Sequence, residues 1–355
     1  MKKWTFFTAI CLAFILTVVL GVSTPALASS LEKKLYEAAK KEGALEYWDS
    51  LSIREVSELW KGFESKYPGI ELKFFQARLE ESEERYLAEH RAGRHVVDVF
   101  PIHYLERFRK NKLLTDLSDI INDSGFPKKF CTKKLDGVGL EHALKGLAYN
   151  TNLVSPQEAP RSIEDLLHPK WKGKINLVIG MRYFIYLTKY WGEEKTLAYL
   201  RKLARQNPSF TKSKSQTRTL LLAGEFPFTL ADNFHKYIIM KAKGAPIGWA
   251  KISPIVDTVD AFVILRHAPH PNAAKLFLHW WMSPEGAYYV DARRHKGNPL
   301  PGSGTQTSKL IKEAGNPEII VGASWIDIGQ NELLDKCLKA VGYKKDKLRK
   351  KKKKK

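Results

Sequence analysis

Cysteine is scarce. The chain has three in 355 residues, and Cys11 sits at the start of an N-terminal apolar run, too early to serve as a lipid-attachment site. The remaining pair, Cys131 and Cys337, has no zinc-type spacing. An oxidising compartment permits a disulfide between them, and two free buried thiols are the plainer alternative. Other signatures are missing as well. There is no G-x-S-x-G elbow, no P-loop and no dinucleotide fingerprint, so nothing points positively to catalysis or to a nucleotide cofactor. No internal repeat is present, which argues against a solenoid. Beyond the N-terminal run, no segment is long and apolar enough to span a bilayer. The ten histidines form no metal signature. His267 and His270 are close in sequence, but Pro269 and Pro271 place them in a turn before a helix.

Negative charge is also in short supply. Asp and Glu number 38 against 59 Lys and Arg, a formal charge of +21. That excess is unevenly spread. Lys2 and Lys3 carry two positive charges, and the tail from Lys344 to Lys355 carries a net nine, leaving +10 on the body. The body is therefore only moderately basic. Without interleaved aromatics or a recognised nucleic-acid fold, nucleic acid is not an expected partner. The Lys-rich tail reads as a solvated disordered end. Two other readings are adhesion to anionic lipid and charge-driven binding of polyanions.

The N-terminus reads as an export signal. Lys2-Lys3 forms the positive region, Phe6 to Val22 the apolar region, and Ala26-Leu27-Ala28 a small-residue cleavage site preceded by Pro25. Cleavage is expected after Ala28, with a periplasmic mature protein; an uncleaved anchor is the alternative.

The body alternates helix and strand. Leu31, Leu35 and Ala38-Ala39 recur at helical spacing up to Gly43. Leu45–Trp48 reads as a strand ending in Asp49-Ser50. Ile53, Val56, Leu59, Trp60 and Phe63 share one helical face. Ile70, Leu72 and Phe74 alternate as a strand does, a charged helix runs to Gly93, and Val96–Phe100 is a short apolar strand. Leu147-Ala148-Tyr149 runs into the polar turn Asn150-Thr151-Asn152. Beyond it, Ser162–Asp165 resembles a capping box, Ile175–Ile179 a strand, and Gly180-Met181-Arg182 a helix start. Helices near Glu193–Leu203 and Gln216–Ala223 follow. Phe226–Leu230 leads as a strand to Asp232-Asn233 and a helix to Lys243. Pro246–Trp249 and Val259–Leu265 are later strands, and Pro271 opens an amphipathic helix. This order implies an α/β fold with a mostly parallel sheet covered by helices.

Several of these segments together resemble a known family. They are Ala39-Lys40-Lys41-Glu42-Gly43, Phe63–Ile70, Glu89–Arg94 with Asp98-Val99, Tyr149-Asn150-Thr151 and Pro169–Ile175. Gly224-Glu225, Lys243–Pro246, Ala268–Ala274 and Ser283–Gly286 complete the series. In this order they resemble the solute-binding proteins of ABC importers, the group that includes ferric-ion binders. The resemblance covers roughly Leu31 to Pro301. It implies a two-lobed type 2 periplasmic-binding fold with chain crossings near Tyr149, Asp257 and Pro299–Pro301. Lobe one would comprise residues 31–147 and 256–298, lobe two 148–255 and 299–343. The lobes would close on a small solute, and the closed form would dock on an inner-membrane ABC permease. The protein would act as a monomer and without catalysis.

Ferric-binding members typically use adjacent tyrosines after the Gly-Glu pair. Here that segment reads Ala231-Asp232-Asn233-Phe234-His235-Lys236-Tyr237, and Phe234 supplies no anionic oxygen for a hard cation. Tyr288-Tyr289 lies in a later helix, where core packing is the plainer role. No metal ligand set and no cofactor is therefore assigned, although ferric ion, alone or as a chelate, stays as the second candidate. The preferred ligand is an anionic or polar organic solute. Arg78, after a lobe-one strand, and Arg182, at a lobe-two helix start, would clamp a carboxylate, phosphate or phosphonate. Alternatively, both are solvated surface arginines. Asp49, Ser50, Tyr149, Asp232 and Asn233 are further ligand candidates, and Asp257 would take a cationic group or cap a turn.

Overall fold

The structure, a computed structural model, describes residues 28–344 apart from residues 103, 301–302, 316 and 324–329. The export signal up to residue 27 and the tail beyond residue 344 lie outside the described residues. Among the described residues no helix is long and apolar enough to cross a membrane.

The first half of the chain builds one layered unit. Ser29 accepts from the Glu32 amide and starts α1 (Ser30–Glu42); Gly43 ends it in the left-handed region at φ 74°, where glycine costs least. β1 (Ala44–Asp49) follows. Ser52 and Glu55 close a reciprocal capping box at the head of α2 (Ile53–Lys66). β2 (Glu71–Gln76), α3 (Leu79–Arg91) and β3 (Val99–Ile102) come next, then the short α4 (Leu105–Lys110) and α5 (Ser118–Ser124). Tyr47, Phe63, Phe262, Phe277, Trp280 and Trp281 are fully buried in the core of this unit.

β4 (Val138–Asn150) is the longest strand described and changes partners along its length. Residues 138–145 pair antiparallel with β9 (Ile255–Ile264), while residues 145–150 pair with β7 (Phe228–Asn233) and β8 (Ile247–Ala250). The exchange falls at Lys145–Gly146, next to the register shift against β7 between Gly146 and Leu147. β9 runs back antiparallel to β4 and reaches β3 at its far end. β4 and β9 are thus the strands that tie the two units together.

The second unit holds β5 (Ile175–Val178), α6 (Arg182–Trp191), α7 (Glu193–Ala204), β6 (Ser209–Thr211), α8 (Lys214–Leu222) and α9 (Phe234–Ala242). Its core buries Leu147, Tyr183, Phe184, Leu200, Phe228 and Ile252. The chain then returns through β9 to α10 (Pro271–Met282) and α11 (Pro284–Arg294) on the first unit. It ends with α12 (Gln306–Glu313), β10 (Ile319–Ala323), which pairs β9, and α13 (Gln330–Ala340) on the second.

The sheet order is β2-β1-β3-β9-β4-β7-β5-β6, with β10 and β8 attached to β9 and β4. Pairing is parallel among β2, β1 and β3 and among β7, β5 and β6. It is antiparallel wherever β4 or β9 meets β3, β7, β8 or the other. The sheet is therefore mixed rather than mostly parallel, because the two strands that pass between units run in opposite directions. Cys131 and Cys337 are both free and buried, in the cores of different units. Burial pushes both thiols up to about 11.

Candidate functional site

Where β4 exchanges partners, it buries a lysine. Lys145 is 4% exposed. Its ammonium donates to Thr258 Oγ1 on β9 and, at 3.4 Å, to the Ala143 carbonyl. It has no ion-pair partner among the described residues. Burial holds its pKa well below the usual lysine value, and the positive charges of Lys214 and Arg182 push the same way, against Asp257 and Asp260. An ammonium removed from water without a counter-charge is costly to keep.

Three more cations gather around it from separate elements. Lys214 opens α8 and donates to Asn233 Oδ1 at 2.6 Å; burial lowers it to about 8, with Arg182 and Arg218 adding to the effect. Arg182 is exposed at the first position of α6, behind Met181, which offers no side-chain cap. Lys236 lies in the first turn of α9 and is lowered by burial, then by Arg218 and Lys296. Neither Lys214, Arg182 nor Lys236 has an ion pair among the described residues. Arg218 is already engaged: its Nη1 donates to Asp232 Oδ1 at 2.8 Å. His235 sits among these groups, 6% exposed, its Nδ1 without a hydrogen-bond partner. Burial, then the charges of Lys296, Lys236, Lys145 and Lys214, pull it down to about 2, so it is neutral.

A second group of charges comes from the first unit, from the end of α11 and from the segment after it. Arg294 and Lys296 both bond Glu141, Lys296 at 3.0 Å, and Arg294 Nε lies 3.5 Å from Glu55 at the head of α2. Burial lowers Lys296 to about 8, and Arg294 adds to the effect, against the nearby charges of Asp260, Asp49 and Glu55. The His142 amide donates to the Lys296 carbonyl at 2.9 Å, fixing this segment against β4.

The residues expected from sequence fall into two groups. Arg182, Asp232 and Asn233 stand in the cationic cluster, and Asp257 and Asp49 border it. Asp257 is fully buried at the β4–β9 crossing and bonds His142 Nδ1 at 2.6 Å. Asp49 takes the Tyr47 hydroxyl and the Ser50 and Leu51 amides. Ser50 is exposed beside it and donates its hydroxyl back to Asp49 at 3.2 Å. Two residues lie apart. Arg78 is an exposed N-cap of α3 that makes no cap bond and, among the described residues, no ion pair. Tyr149 is 5% exposed, with its ring packed on Gly248; a Cβ there would meet the ring at 2.1 Å.

Sequence reading missed Lys145, Lys214, Lys236, Arg218, His235, Glu141, Arg294 and Lys296. Lys145 alone left a trace, as the one charge in the apolar run from Ala143 to Ala148. Among the described residues no group of three His, Cys, Asp or Glu is arranged to hold a metal ion. Tyr289 packs against Gly62 and Trp280, and Tyr288 is 55% exposed. His270 is structural, bonding Asp98 through ring and backbone at 2.8 and 2.7 Å.

Known proteins share this architecture. The structure is similar to a Trichodesmium protein (IdiA, FutA) solved in complex with iron and citrate, with TM-score 0.68 and 19% identity, over 85% of this chain and all of that one. It is similar to iron-bound HitA from Pseudomonas aeruginosa, with TM-score 0.59 and 18% identity, over 84% and 99% of the two chains. A putative extracellular solute-binding protein from Bordetella parapertussis gives TM-score 0.67 and 16% identity, over 85% and 100%. At these identities the likeness carries the fold, which is the two-lobed type 2 periplasmic-binding architecture. An uncharacterised protein of Haemophilus influenzae is 29% identical over 154 residues, 40% of this chain and 43% of its own length. The match thus spans less than half of that curated relative. Residues 58–314 match the family model described as bacterial extracellular solute-binding protein. The chain belongs to the bacterial extracellular solute-binding protein family.

Proposed function

We propose that this chain is the exported, periplasmic receptor of an ABC importer and that its lobes close on a small anionic solute. It acts as a monomer, by binding and release without catalysis, and hands the solute to an inner-membrane permease. Lys145 carries this reading. It is a buried lysine with no ion-pair partner among the described residues, at the strand crossing between the lobes, with Lys214 and Arg182 near enough to depress it further. A bound anion supplies the missing counter-charge. Arg182 opens α6 and Lys236 lies in the first turn of α9, two helices whose N-caps make no side-chain capping bond, where free N–H groups favour anions.

A second reading is ferric ion, bound as a chelate or with an accompanying anion, and its support is that two similar structures were solved with iron. Thermal-shift titration of the unfolded-and-refolded, ligand-stripped mature protein separates the two. Small carboxylates and phosphates should raise the transition temperature by mass action, and ferric nitrilotriacetate should not. The reverse pattern would replace the anionic solute with iron.

A further inference from the structure

Four cations in the cluster lack an ion pair among the described residues: Lys145, Lys214, Arg182 and Lys236. Of the nearby acids, Asp232 holds Arg218, Glu141 holds Arg294 and Lys296, and Asp257 holds His142. Asp232 Oδ2 and Asp257 Oδ1 have no hydrogen-bond partner among the described residues, and the charges of Asp257 and Asp260 act on Lys145 from nearby. A single carboxylate would leave most of this positive charge uncompensated.

The donors also arrive from several directions. α6 is ten residues long and begins behind Met181 with no side-chain cap. A Cβ added to Gly180, two residues before Arg182, would meet nothing within 4 Å, so there is open space beside that residue. α9 is nine residues long, and its N-cap, Asn233, makes no capping bond. The Asn233 oxygen that would otherwise serve is taken by the Lys214 ammonium at 2.6 Å. His235, in the first turn of α9, is 6% exposed with Nδ1 unpartnered. It is neutral and lies among Lys145, Lys214, Lys236 and Lys296. A neutral imidazole keeps one N–H for an anion while adding no charge.

We propose that the anionic group received here is a tetrahedral phosphoryl dianion, as in a phosphate monoester or a phosphonate, seated between Lys145, Lys214, Arg182, Lys236 and the first turns of α6 and α9. Three terminal oxygens and nearly two negative charges match a site whose donors converge from two helix ends and several ammonium groups. A planar carboxylate presents two oxygens and one charge. The inference rests on the anion reading above and narrows it.

The test is isothermal titration of the stripped mature protein at pH 7.5. The dianion arm uses glycerol 3-phosphate, methylphosphonate and inorganic phosphate, which separates an ester, a phosphonate and the free ion. The comparison arm uses dimethyl phosphate, succinate and citrate. At least one dianionic phosphoryl probe should bind tenfold or more tighter than dimethyl phosphate and than either carboxylate. Lys145→Met and Lys214→Met, checked as folded by circular dichroism, should each weaken that probe by about tenfold or more, since a charge-assisted bond is lost. Equal or tighter binding of succinate or citrate overturns the phosphoryl assignment and leaves the anion receptor standing. Unchanged affinity in both folded variants also overturns it, by removing the lysines from the site. Binding of ferric nitrilotriacetate with no anion bound removes both readings together.

Discussion

Lys145 sits in a strand interior, a position that normally selects Val or Ile. Its neighbours Leu144 and Leu147 are buried as expected. In the receptor reading, the lysine accepts poor solvation so that a bound anion can supply the counter-charge that favours its protonated form. Arg182→Ala should weaken anion binding by about 1.5–3 kcal/mol, the loss of one charge-assisted hydrogen bond, as read by isothermal titration. Protonation adds a second readout. Lys214 and Lys296 are lowered from 10.5 to about 8. Between those values the unfolded chain holds more protons than the native one, so stability contributed by these groups rises with pH across that window. Below pH 8 both states are protonated and the burial cost stands in full. A bound anion draws the lysines back up, so binding at pH 8.5–9 should take up protons. Titration in two buffers of different ionisation enthalpy measures this, and buffer-independent heats would contradict it.

At the scale of elements, caps and periodicity were legible. Ser52 with Glu55, Gly43 after α1 and Pro271 at the head of α10 act as their residue types suggest. The Ser162–Asp165 pattern does close reciprocal bonds, with the Asp165 amide on Ser162 Oγ and Asp165 Oδ2 on the Arg161 and Ser162 amides. It heads only a single 3-10 turn, Glu164–Leu167, because Pro169 follows within one turn and removes the next amide donor. β4 was visible only in its last third. Glu141, His142 and Lys145 interrupt the apolar pattern of its first part, and each makes a long-range contact: an ion-pair cluster, a bond to Asp257, and a bond to Thr258 on β9. Tyr149 looked like a cleft residue because it ends that visible part; its ring instead fills the space over Gly248. Gly248→Ala should cost about 1–3 kcal/mol by overpacking, measured by urea denaturation, with anion affinity retained.

For the whole molecule, fold and class were readable because many weak local matches occurred in one order. The site was not, because its lysines come from β4, α8, α9 and the segment after α11, and no spacing rule links them. Assembly depends on the crossing strands. The His142–Asp257 bond is fully buried there, so His142→Leu strips Asp257 of its partner and should cost about 1–3 kcal/mol, read by guanidinium denaturation. Cys131 and Cys337 lie in separate cores and should resist thiol reagents until the protein unfolds. Removing residues 344–355 should leave solute affinity unchanged if binding belongs to the clamp; a salt-sensitive loss would move it to the tail.

Closure around an anion makes the most direct demand on solution behaviour. Small-angle X-ray scattering of the stripped mature protein, with and without saturating anion from the titration panel, should show the radius of gyration falling for wild type and unchanged in Lys145→Met. Contraction with ferric nitrilotriacetate alone, or equal contraction of wild type and variant, would contradict the account.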